Sequence, residues 1–290
     1  MTRRIQIFAL LALTSVAAVW GASFVLMKDA LKGQSVDDFL ATRFIIATIA
    51  LILFRPQALK EINLEMVMKG SLLGLFLGSG YLFQTIGLHL TTAATTGFIT
   101  GLYVVFTPIL GALFLKSSVT RNEWIGVVMA TVGLALLSFK GFSIGLGELS
   151  VLLSALFFAF HILGLGRWSG RFATYPLTIV QLGTIAILTS LLALVDDGYE
   201  PPNTNQEWGA TIFTALLATS LAFLIQTWSQ SKMDATVVAV VLTLEVVFAA
   251  LIAVIAGQES LTLRAILGGT LIFAAMILMQ LPVATKKTTQ

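Results

Sequence analysis

Ten stretches of mostly apolar residues alternate with short polar joints along the chain: 5–27, 38–54, 67–88, 94–115, 124–139, 148–166, 175–194, 208–229, 235–256 and 264–281. A membrane helix needs about 20 such residues, with about 17–25 usual. The second and fifth stretches are short, so they must stand nearly upright or lie buried in the bundle. The joints carry helix breakers, as at Arg55-Pro56, Lys140-Gly141 and Tyr175-Pro176. The longest polar stretch, Asp196–Glu207, is too small to be a domain.

The pattern repeats. Three apolar helices predicted over Leu72–Leu88, Gly97–Leu115 and Trp124–Phe139 return as Ile212–Trp228, Val237–Ala256 and Ala265–Leu281. Gln84-Thr85 recurs as Gln226-Thr227, and Thr107–Leu113 as Glu245–Leu251. Gly126, after Glu123, recurs as Gly268, after Arg264. The shift is roughly 140 residues, close to half the chain, which points to duplication of a whole bundle rather than a solenoid. The halves are 1–140 and 141–290, with five helices each.

Composition sets the solvent. Of 290 residues, 57% are hydrophobic and 11% charged, against about 25% charged in a soluble domain. Too few charges remain to cover a water-facing surface, so the expected class is an all-α integral membrane protein. The net charge of +3 sits in short loops and does not point to nucleic acid. With no cysteine, disulfides, iron–sulfur clusters, thiolate zinc sites and thiol nucleophiles are excluded. Two histidines leave little for a metal centre, and no cofactor is called for. Arg3-Arg4 and the run from Ile5 to Met27 resemble a signal peptide, but the run is too long for one and reads as a retained first helix.

Lys and Arg in the loops give orientation. With the N-terminus in the cytoplasm, the inner side holds Arg3, Arg4, Arg55, Lys60, Lys69, Lys116, Arg121, Arg167, Arg171, Lys232, Lys286 and Lys287. The outer side holds only Lys28, Lys32, Lys140 and Arg264, and Arg43 lies inside a span. Both termini are then cytoplasmic, in the cytoplasmic (inner) membrane of a bacterium. Five helices per half is an odd number, so the second half enters in the opposite sense. Two such halves are inverted repeats, an architecture that belongs mainly to transporters. One duplicated chain also makes a monomer sufficient.

The spans carry small-residue stripes that close packing in lipid needs: Gly70, Gly74 and Gly78; Gly97 and Gly101; Ala17 and Gly21. Pro108 stands well inside the fourth span, where it should free a carbonyl and kink the helix, as a hinge or only a bend.

The chain resembles the drug/metabolite transporter superfamily, and in particular its EamA-type exporters. The resemblance rests on Trp20-Gly21-Ala22-Ser23-Phe24, Arg43-Phe44, Pro108 and Asn122-Glu123-Trp124-Ile125-Gly126 in the first half. In the second half it rests on Leu244-Glu245-Val246-Val247-Phe248-Ala249, Gly257-Gln258-Glu259 and Gly268. The chain departs from the family pattern at Lys116-Ser117-Ser118, often acidic, and at Val246, often proline. The resemblance implies movement of small metabolites, amino acids and their derivatives among them, mostly outward.

Several polar residues inside spans are candidates for the solute path. Glu245 lies about ten residues into the ninth span, about 15 Å deep in a core about 30 Å thick. A carboxylate there costs about 2.5–3.5 kcal/mol on insertion scales, so it must face a partner or a wet cavity. It could bind an amine, titrate a proton, or stay protonated and bond a neighbouring helix. Arg43 lies about a turn and a half into helix two, where it could snorkel outward, pair with Asp37 or Asp38, or grip a solute carboxylate. His161 could relay protons or simply pack. His89 reads as interfacial. Gln84 and Gln226 occupy equivalent places and fit paired cavity walls, or interhelical hydrogen bonds. Trp20, Phe24, Tyr81, Tyr103 and Trp228 could line an apolar cavity, although Trp228 and Trp124 suit the interfacial belt.

The expected function is a secondary transporter of a small amphipathic solute, working by alternating access, with protons as a possible coupling ion. No G-x-x-x-x-G-K-[ST] motif supports direct use of ATP. An intramembrane enzyme acting on a lipid is the alternative. It would need convergent acid, base and nucleophile, and the sequence shows these singly, without HExxH. A channel would need a selectivity ring that the pattern does not show.

Overall fold

The computed structural model describes residues 3–31, 33–138, 145–195, 198–255, 262–279 and 281. Lys32, Lys140, Gly257-Gln258-Glu259, Lys286 and Lys287, named above, lie outside the described residues.

The described residues form helices and no strands. In chain order these are α1 (Arg3–Ala30), α2 (Val36–Phe54), α3 (Leu64–Leu90), α4 (Ala93–Gly101), α5 (Tyr103–Leu115), α6 (Arg121–Ser138) and α7 (Leu146–Trp168). There follow α8 (Thr174–Val195), α9 (Asn205–Ala215), a π turn (Leu216–Leu221), α10 (Ala222–Gln230), α11 (Ala235–Leu242), α12 (Leu244–Ile255) and α13 (Leu263–Met279). Side-chain oxygens start several of them. Ser35 caps α2 by accepting from Asp38 N, and Asn63 caps α3 by accepting from Met66 N. Thr204 and Glu207 form a capping box at α9.

Taking α4 with α5, α9 with α10 and α11 with α12, seven helices are long and apolar enough to cross a bilayer among the described residues. Helix α13 is apolar but shorter. Helices α2 and α6 are 19 and 18 residues long. Asp37, Asp38 and Arg43 lie in α2, and Arg121 and Glu123 in α6, which lowers their apolar weight. Large apolar side chains such as Phe8, Leu53, Phe54, Leu113 and Val195 point outward. On a soluble protein such an apolar surface would aggregate; in lipid it is the required exterior.

The helices pack in a pattern that is preserved when the two halves are exchanged. Helix α1 lies against α12 and against the α9–α10 unit, as α7 lies against α4–α5 and α3. Helices α2 and α8 pair across the halves, as do α6 and α13. Two apolar clusters result, one centred on α1, α6, α11 and α13, the other on α2, α3 and α8. Trp20 and Phe158 pack against both.

Glycine sets the spacing. A Cβ on Gly74 would come within 2.6 Å of the Gln181 carbonyl oxygen, and one on Gly70 within 2.7 Å of Val180. Gly78 faces Ile185. The Gly70, Gly74 and Gly78 stripe is therefore the seat of α8, and Gly126 and Gly133 play the same part for α13.

Helix α5 runs through Pro108, and the break in the fourth span is at Leu102. The ninth span breaks at Thr243, and the eighth is widened by the π turn.

Gly74→Val is expected to lower stability by about 1–3 kcal/mol, because the contacting atom is backbone and cannot turn aside. Gly209, with nothing within 4 Å of a built Cβ, serves as the control. Gly209→Ala should leave the midpoint unchanged or raise it. Thermal unfolding in detergent checks both.

Candidate functional site

A cavity of about 50 Å³ lies in the middle of the bundle, room for a few water molecules. Each contributing helix offers one face at helical spacing. Helix α1 gives Trp20, Ser23, Phe24 and Met27; α3 gives Leu77, Tyr81 and Gln84. Helix α7 gives Phe158, His161 and Ile162, and α10 gives Phe223 and Gln226. The two broken spans meet the cavity at their breaks. Thr100 and Tyr103 flank Leu102, and Leu242 and Glu245 flank Thr243, all four lining the cavity.

The breaks are tight turns closed by local bonds. Leu102 N donates to Ile99 O at 3.1 Å, and Val105 N donates to Leu102 O at 2.9 Å. Val246 N donates to Thr243 O at 3.2 Å, while the Thr243 hydroxyl donates to Val240 O at 2.7 Å. The three backbone bonds are of the 3₁₀ type, which interrupts α geometry over a single turn.

Arg43 enters the cavity from α2 and is only 1% exposed. Its Nε donates to Thr219 Oγ1 at 2.7 Å. Its terminal nitrogens reach Met27 Sδ at 3.1 Å, Tyr81 OH at 3.4 Å and Ala218 O at 3.5 Å. The guanidinium lies 4.7 Å from the centre of the Tyr81 ring and 5.6 Å from that of Phe44. No carboxylate pairs with it among the described residues. Neither snorkelling nor pairing with Asp37 or Asp38 therefore occurs. The side chain turns inward because the π turn and two aromatic rings receive it there.

Glu245, 4% exposed, also lines the cavity. Its Oε1 is buried without a hydrogen-bond partner, as are Tyr103 OH and Gln226 Oε1. Three unpartnered polar atoms on one cavity is unusual, since buried polar groups are nearly always bonded. Helix α12 reaches this position because α1 is narrow at Gly21. A Cβ there would come within 2.6 Å of Glu245 O and 2.7 Å of Ala249 N.

His161 bonds Gln181 Oε1 through Nε2 at 2.9 Å. The Gln181 amide nitrogen donates to Leu177 O at 3.2 Å, which fixes the amide orientation, so Nε2 of His161 carries the hydrogen. Gln84 Nε2 donates to Thr100 Oγ1 at 3.2 Å, and Gln226 Nε2 to Gln230 Oε1 at 3.0 Å.

The structure thus brings Trp20, Phe24, Arg43, Tyr81, Gln84, Tyr103, His161, Gln226 and Glu245 around one cavity. Pro108 is buried in α5 but does not line it. Trp228 packs edge-on to Phe8 at 5.6 Å, away from the cavity. His89 and Trp124 are exposed. Ser23, Met27, Leu77, Thr100, Phe158, Ile162, Phe223 and Leu242 were missed. A signal existed for all but Ile162: each of the others shares a helical face, three to seven residues away, with a polar or aromatic candidate already named. Thr219, which bonds Arg43, lies seven residues from Gln226 and was missed in the same way. No metal-holding group of three acidic or imidazole side chains exists among the described residues.

The sequence profile of the EamA-like transporter family matches residues 7–139 and 145–281. A protein of Archaeoglobus fulgidus, named an uncharacterized transporter, is 35% identical over 279 residues, covering 96% of this chain and 87% of that one. The uncharacterized transporter YoaV of Bacillus subtilis is 22% identical, covering 91% of this chain and 93% of its own length. A solved crystal structure superposes with a TM-score of 0.77 at 18% identity, over 94% of this chain and 96% of that one; it shares the fold.

Because the Tyr103 hydroxyl has no partner within the protein, removing it should not weaken the fold. Tyr103→Phe is expected to keep the unfolding midpoint while weakening solute uptake several-fold. A fall in midpoint with unchanged uptake would mean that the hydroxyl serves folding alone.

Proposed function

The chain belongs to the EamA-like transporter family, and from that premise we propose that it is a secondary exporter of small amphipathic metabolites, with amino acids and their relatives as the first candidates. The observation that carries this reading is the placement of Arg43 and Glu245, one cationic and one carboxylic side chain, on one central cavity between the halves. Aromatic rings make up much of the remaining wall. A solute with a polar end and an apolar body matches that lining better than a bare ion does.

Ten spans carry the transport cycle, the seven long apolar helices together with α2, α6 and α13. Residues 1–140 and 141–290 act as inverted repeats that rock against each other and open the cavity to one face at a time. The exchange-preserved packing and the two family matches support this. A cavity of about 50 Å³ must widen to admit a metabolite, and the breaks at Leu102 and Thr243 are where the lining helices can bend. The excess of Lys and Arg on one set of loops supports cytoplasmic termini in an inner membrane. One chain holds the whole cavity, so a monomer suffices.

Protons are the proposed coupling ion, with Glu245 as the group that exchanges them. A buried carboxyl without a partner on Oε1 is free to take a proton or a solute amine in turn.

Flux of labelled amino acids and related metabolites in proteoliposomes, with and without a proton gradient, tests the proposal. Saturable flux of one class, accelerated by the gradient, is expected. Glu245→Gln should abolish the response to the gradient and to pH. Flux that ignores pH in both proteins would remove Glu245 from the coupling, and no flux across the panel would count against the solute class.

A further inference from the structure

Arg43 is buried with one strong neutral partner and several weak ones. A guanidinium offers five N–H donors and remains charged in proteins. Here a single bond, from Nε to Thr219 Oγ1 at 2.7 Å, is short. The terminal nitrogens have a thioether, a weak acceptor, and two oxygens at 3.4 and 3.5 Å. All of these partners are neutral.

The short bond depends on a local irregularity. Through Leu216–Leu221 the helix takes the wider π form, and Ala222 N donates to Leu217 O, five residues back. The Ser220 hydroxyl bonds both Ala215 O and Ala47 O, tying the turn to α2. The Ala218 carbonyl accepts from Trp20 Nε1 at 2.8 Å as well as facing Arg43. The wide turn thus points a hydroxyl and a carbonyl at the guanidinium. Isolated π turns of this kind are often found at functional sites.

The other half has no equivalent. Aligning Gln84-Thr85 with Gln226-Thr227 sets Leu77 opposite Thr219, inside the unbroken helix α3. In α8, at the position that Arg43 holds in α2 counted from the helix start, stands the neutral Gln181.

We propose that Thr219, presented by the π turn, is a specificity-determining positioning residue: it holds Arg43 with its terminal nitrogens towards the cavity, where they bind a carboxylate of the transported solute. This rests on the cavity being the solute path. A planar carboxylate matches the two forward nitrogens of the fork. The aromatic edges of Tyr81, Phe158 and Phe223 beside it suit an apolar body attached to that carboxylate.

The test is a binding measurement independent of flux. Benzoate and its uncharged analogue benzamide are titrated against the purified protein in nanodiscs, read by tryptophan fluorescence, with Trp20→Phe identifying the Trp20 signal. Wild type should bind benzoate saturably and benzamide at least tenfold more weakly. Thr219→Val should weaken benzoate about tenfold, the loss of one charge-assisted bond's alignment, and leave benzamide unchanged. Thr219→Ser, which keeps the hydroxyl, should restore benzoate binding to within about twofold of wild type. Arg43→Lys keeps the charge without the fork. It should lose the preference for benzoate, and adding Thr219→Val to it should cost nothing more. Equal benzoate affinity in wild type and Thr219→Val, equal affinity for the two probes, or no saturable benzoate signal in wild type would each overturn the proposal. Benzoate binding with this pattern but no solute flux in proteoliposomes would count against the transport reading and leave the anion site standing.

Discussion

A charged side chain inside a hydrocarbon layer must find polar company within the protein, and Arg43 and Glu245 impose that constraint on everything around them. Arg43 is met by a hydroxyl, a carbonyl and two aromatic rings. Glu245 is met on one side by a cavity. Neither arrangement is available in an unbroken bundle of ideal helices, whose carbonyls are all engaged along their own axes. The π turn at Leu216–Leu221 and the breaks at Leu102 and Thr243 supply the exceptions, and they border or support the same cavity. Irregular backbone at membrane depth is tolerated where it is buried in protein or lines a cavity, and here the breaks at Leu102 and Thr243 lie beside one.

Close packing makes that geometry possible. Without a hydrophobic drive between helices in lipid, contact depends on fit. Gly21 admits the α12 backbone beside Glu245, and Gly74 admits the α8 backbone. The pairing of α2 with α8 and of α6 with α13 joins the two halves of the chain. The halves share their packing plan but not their chemistry. Thr219 and Arg43 face Leu77 and Gln181 as their counterparts, so a nearly symmetric scaffold carries an asymmetric site.

Much of this was legible in the sequence, for identifiable reasons. Apolar length gave the helical class, and recurrence of Gln84-Thr85 at Gln226-Thr227 gave the duplication. Polar residues deep in apolar runs are costly, so Glu245, Arg43, Gln84, Gln226 and His161 stood out, and all of them line the cavity. Their apolar neighbours on the same helical face did not stand out, because an apolar residue in a membrane span looks alike whether it faces lipid or a cavity. The inward turn of Arg43 was hidden because it depends on Thr219, 176 residues away in sequence. The π turn was hidden because its residues, Leu216–Leu221, include neither glycine nor proline; its form follows from the tertiary bonds of Trp20, Arg43 and Ser220. Pro108 is the breaker visible in the fourth span, and α5 runs through it; the interruption beside the cavity is six residues earlier, at Leu102, where no glycine or proline stands.

The central claim is that one cavity serves both faces of the membrane in turn. The absence of cysteine from the chain makes a direct measurement possible. Ser23→Cys places a single thiol on the cavity wall, and a membrane-impermeant thiol reagent can be added to either side of sealed vesicles of known orientation. Reaction from each side, slowed by the transported solute in both cases, is the expected result. Reaction from one side only, or from neither, in vesicles that carry out solute flux would contradict alternating access around this cavity.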